Sequence, residues 1–64
     1  MRNRIIKRAL FEADMKQYHL AGLLGIREES LSRKMREELP EEEQKRIAQL
    51  IRQHAEGKGA ENDG

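Results

Sequence analysis

The chain has 64 residues and no cysteine, so it has room for one small core and has neither a disulfide nor a thiolate to ligate metal or attack a substrate. Charged residues make up 39% of it, yet the net charge is only +1, a balance that by itself argues for no particular polyanion. The charge is uneven: residues 1–39 hold nine Lys/Arg and six Asp/Glu (+3), and residues 40–64 hold four and six (−2). No apolar run is long enough to span a membrane. Arg2 and Arg4 are not followed by the apolar stretch of a secretory signal, so a cytoplasmic location is expected.

In chain order, the pattern predicts an all-α domain of four helices. The first covers about Arg4 to Ala13, with Asn3 as N-cap. Ile5, Ile6, Ala9, Leu10 and Ala13 recur on one helical face, and Phe11 is expected to widen that stripe. The second runs from about Met15 to Leu24, opened by a capping box between Asp14 and Gln17. Leu20, Ala21 and Leu24 form its core face, and Gly25 stops it. The third runs from about Glu28 to Arg36, with Leu31 and Met35 inward and Glu28, Glu29, Ser32, Arg33 and Arg36 on a polar face. The fourth starts at Pro40. Glu41, Glu42 and Glu43 lie at its positive dipole end, Glu41–Lys45 and Glu42–Arg46 are i,i+4 pairs, and Ile47, Leu50 and Ile51 are its apolar face. It is expected to fray near Glu56. Residues 57–64 (GKGAENDG) are too polar and glycine-rich to bury surface and read as a disordered tail, leaving residues 1–56 as the domain.

Between Gln17 and Met35 the spacing is that of two helices crossing over a tight turn. Ala21 is small where a helix must pass close by, Gly25 opens the turn, Ile26 plugs the angle between the helices, and Leu31 anchors the third helix. The segment KQYHLAGLLGIREESLSRKM, with Gln, Leu-Ala, Leu-Gly-hydrophobic and hydrophobic-Ser at these spacings, resembles the Cro/phage-repressor (lambda-repressor-like) helix-turn-helix class, in its short phage- or mobile-element-associated form. That resemblance covers about a third of the chain closely. It implies a sequence-specific transcriptional regulator, such as a repressor, that places its third helix in the major groove of double-stranded DNA. Carried over to this chain, it makes Gln17 a phosphate contact. Arg27, Glu28, Glu29, Ser30, Ser32 and Arg33 become the start and outer face of the recognition helix, with Arg36 one turn further along.

Glu28 and Glu29 place negative charge where DNA would dock, which motivates an alternative: an anti-repressor-like interaction module that keeps the helical fold without binding DNA. Helix four offers a homodimer surface through Leu50. Phe11, Met15, Tyr18 and Met35 are expected to be core or half-buried packing. His19 and His54 are 35 positions apart without acidic or Cys company, so no metal site is expected. No phosphate loop and no nucleophile with a base is apparent. The expectation is a protein that is not an enzyme and takes no cofactor, small-molecule substrate or membrane.

Overall fold

Four helices follow one another in a computed structural model that describes the backbone of residues 2–63 and the side chains of residues 2–55: α1 (Arg4–Glu12), α2 (Gln17–Leu24), α3 (Glu28–Lys34) and α4 (Glu41–Asp63). No strand occurs among the described residues. The all-α, four-helix expectation therefore holds.

The core is a thin layer of aliphatic side chains taken from every helix. Ile6 and Ala9 come from α1, Leu20 and Ala21 from α2, Leu31 and Met35 from α3 and its end, and Ile47, Ala48 and Ile51 from α4. On α4 the buried residues Gln44, Ile47, Ala48 and Ile51 stand at i, i+3, i+4 and i+7, the spacing that keeps one face of a helix in contact with its neighbour. α1 packs on α4, and α2 packs on α3. At 23 residues α4 is about 35 Å long at 1.5 Å per residue, and it sets the 39 Å long axis of the molecule.

Two helices end in the same way. α2 closes with Gly25 at φ 71°; Gly25 N–H donates to Gly22 O (3.2 Å) and Ile26 N–H to Ala21 O (3.0 Å). This is the paired 5→2 and 6→1 closure of a Schellman turn, as the sequence predicts for Gly25. α1 closes identically, but with Asp14 in the left-handed position at φ 52°: Asp14 N–H donates to Phe11 O (3.1 Å) and Met15 N–H to Leu10 O (2.9 Å). Asp14 thus terminates α1, and the capping box expected with Gln17 does not form. The residue before α2 is Lys16, with no side-chain cap. Asp can adopt left-handed backbone at lower cost than most residues because its short polar side chain bonds locally.

Other expectations give way to helical geometry. Phe11 does not widen the core stripe; it is 86% exposed. It lies two residues from buried Ala9, and two residues at 100° each carry a side chain to the opposite face. Tyr18 stands in the same relation to buried Leu20 and is 52% exposed, its ring 4.2 Å from that of His19. Ile26 is 38% exposed, so it is not part of the buried core. Met15 and Met35 are partly buried and buried, respectively, as expected. The backbone of α4 is helical past Glu56, to Asp63. Once a helix is under way each further residue adds a hydrogen bond, and Gly costs only about 1 kcal/mol against Ala in a helix interior. No helix among the described residues is long and apolar enough to cross a membrane.

Candidate functional site

The most elaborate polar construction in the molecule joins the start of α1 to the loop before α4. Asn3 is fully buried and has left-handed backbone at φ 56°. It precedes α1, but its side chain does not cap that helix. Instead its Nδ2 donates to Met35 O (2.9 Å) and Glu37 O (3.0 Å), and its Oδ1 accepts from Leu39 N–H (2.8 Å). Its own N–H donates to Glu38 Oε1 (2.8 Å).

Gln44, only 3% exposed on α4, completes the circuit. Its Nε2 donates to Glu38 Oε2 (2.9 Å) and Leu39 O (2.8 Å), and its Oε1 accepts from Ile5 N–H (3.2 Å). Arg2 donates to the carbonyl of Arg36. The Asn3 N–H and Gln44 amide bonds, in that order of weight, hold the Glu38 carboxyl below the ordinary carboxylate range, with smaller help from the N-terminal charge and Arg2. Every buried side-chain polar atom among the described residues has a partner. The α3–α4 loop, which lacks regular structure, thereby satisfies backbone groups that would otherwise be stranded.

This clasp fixes the wall of an open groove of about 700 Å³. One side of it is α1, with Arg4, Lys7, Arg8 and Phe11; the other is Glu38, Glu41 and Gln44, with Ile5 in the floor. Arg4, Lys7, Arg8 and Phe11 recur at i, i+3, i+4 and i+7, one helical stripe opposite the core face, and all four are exposed. Sequence reasoning missed this stripe because it counted Phe11 with the core. The i, i+3, i+4, i+7 spacing of three cations and an aromatic was the available signal.

The residues proposed for DNA are arranged differently. Arg27 precedes α3 without a side-chain cap. Glu28, Glu29, Ser30, Ser32 and Arg33 lie on α3, Arg36 follows it, and all of these are exposed; Gln17 is half-buried at the start of α2. On α4, Ile47 and Ile51 are buried in the core and Leu50 is half-buried, walling a smaller groove of about 290 Å³ with Leu24. Leu50, the residue expected to offer a homodimer surface, is thus only partly exposed.

The family whose model matches this chain is the PrmC N-terminal domain, over residues 3–59. No curated protein matches, and no solved structure matches. The family match overturns the Cro/phage-repressor resemblance, and with it the reading as a DNA-binding transcriptional regulator or repressor of phage type and the anti-repressor alternative. The residues that carried the resemblance, Leu20-Ala21, Leu24-Gly25-Ile26 and Leu31, describe two helices meeting over a tight turn. That is a packing solution available to many functions.

Proposed function

Because the chain belongs to the PrmC N-terminal domain family, we propose that it serves as the helical accessory domain of a release factor methyltransferase, holding the release factor while a separate catalytic unit transfers the methyl group. The observation that carries this reading is the family match across residues 3–59, which takes in all of α1, α2 and α3 and most of α4. The internal chemistry supports it. The two buried polar side chains among the described residues, Asn3 and Gln44, are committed to backbone groups and to Glu38, an arrangement that builds a rigid surface rather than a reactive one. In this reading the chain performs no reaction of its own; it raises the effective concentration of substrate at its partner's active site.

The test is a binding and activity measurement with purified components. The chain should bind a purified release factor in isothermal titration, and should raise the kcat/KM of a methyltransferase catalytic unit lacking this domain when fused to it. It should release no methylated product by itself. Absence of binding to the release factor, with no effect on the catalytic unit, would overturn the proposal.

A further inference from the structure

Phe11 stands outside the core, and the side chains of Arg4 and Lys7 beside it make no hydrogen bond or ion pair among the described residues. A phenylalanine 86% exposed leaves in water a ring whose burial would be favourable. It stands at the end of a rigid helix that is clasped at its start, which is a low-entropy setting for an anchor residue.

The charges around it are not equivalent. Glu38 has both oxygens engaged, by Asn3 N–H and by Gln44. Glu41 has Lys45 at 3.8 Å, and Arg8 has Glu12 at 3.4 Å. Arg4 and Lys7 have no carboxylate partner among the described residues. The groove therefore presents an aromatic side chain with two cations one and two turns away that have no ion-pair partner among the described residues, while on the facing wall Glu38 keeps its charge but is tied by both oxygens to Asn3 and Gln44.

Resting on the reading given under Proposed function, we propose that this face of α1 is the docking surface for an acidic, amphipathic segment of the release factor. An apolar side chain of that segment covers Phe11, and its carboxylates, spaced at about one helical turn, meet Lys7 and Arg4. Charge complementarity selects the acidic partner and speeds encounter, whereas burial of the ring supplies most of the holding energy.

The experiment is titration of the full chain with purified release factor at two salt concentrations, using Phe11→Ser, the double variant Arg4→Glu/Lys7→Glu, and Arg33→Glu on α3 as a control. Phe11→Ser is expected to weaken binding about tenfold, the effect of 1.4 kcal/mol at the interface. The double variant is expected to weaken it at least as much and to flatten its salt dependence. Arg33→Glu is expected to stay within about twofold, as a charge outside the interface should.

If the parent binds and the α1 variants bind equally well, this surface assignment is wrong while the proposed function stands. If the α1 variants lose binding to the catalytic unit but not to the release factor, the assignment is likewise overturned. It is also overturned if the parent binds a duplex or single-stranded oligonucleotide through these residues in preference to the release factor. A parent that binds no release factor sinks the functional reading and the surface together.

Discussion

Where α1 meets the start of α4, the side chains of Asn3, Glu38 and Gln44 exchange hydrogen bonds with one another and with the backbone of a loop that has no regular structure. Where α2 meets α3, the turn is closed entirely by backbone groups, Gly25 and Ile26 donating to Gly22 and Ala21, and no side-chain hydrogen bond is made there among the described residues. One junction depends on particular side chains thirty or more positions apart in sequence; the other depends on a single backbone conformation. The first should be fragile to chemistry and the second to stereochemistry. The difference teaches that a chain this short can set two helix pairs with unrelated devices and join them only through a shared aliphatic layer.

The comparison can be broken most severely at that shared layer. Ile51 and Leu31 are both fully buried, and Ile51→Ala or Leu31→Ala should each cost about 2–5 kcal/mol. In a domain with total stability on the order of 5 kcal/mol, either change should leave a broad or absent thermal transition by circular dichroism. A sharp, parent-like melt would show that the two helix pairs do not depend on one core.

Asn3→Ala comes next. It strands Met35 O, Glu37 O and Leu39 N–H and forces Ala into left-handed backbone, for about 2–4 kcal/mol. Asn3→Gly removes the same hydrogen bonds without the backbone strain and should be milder by about 1 kcal/mol. Chemical denaturation of the two variants separates the contributions; equal midpoints would mean that the left-handed φ at Asn3 carries no energetic weight.

Gly25→Ala addresses the other junction. A Cβ there would meet nothing within 4 Å, so the whole effect, about 1–2 kcal/mol, should come from the positive φ. Urea titration reads it directly, and a stabilised Gly25→Ala would contradict a left-handed residue at that turn.

The smallest effect is the acid dependence of the clasp. Glu38 has a depressed folded-state pKa, so its contribution to stability is present above the ordinary glutamate range and is lost as pH falls through its folded value. Glu38→Gln should shrink the drop in Tm between neutral and acidic pH while lowering Tm at neutral pH. An unchanged acid dependence would remove Glu38 from the clasp.

The four helices, their order and most of the core were legible in the sequence. Ile6, Ala9, Leu20, Ala21, Leu31, Met35, Ile47 and Ile51 recur at helical spacing, and the left-handed stop at Gly25 needs only a residue without a Cβ. These are local properties, set by 100° per residue and by backbone sterics, so pattern alone decides them. Gln44 was not legible, because a glutamine reads as surface until its partners are known, and neither was the full role of Asn3. Phe11 and Tyr18 were misplaced by treating every large apolar side chain as core, although helical phase already put both opposite buried neighbours.

What the sequence by itself determined was the number and order of the helices, most of the aliphatic residues that turn inward, and the stop at Gly25. Only the tertiary structure decided that Asn3 serves the α3–α4 loop rather than α1. The same structure made Asp14 an end rather than a beginning, and left Arg4, Lys7 and Phe11 together and unpartnered. Each of those outcomes turns on a side chain meeting groups remote in the chain, or on how a loop routes one helix against another. A hydrogen bond across thirty-five residues leaves no period in the sequence, because its free energy is settled only when the surrounding core has excluded water from both partners.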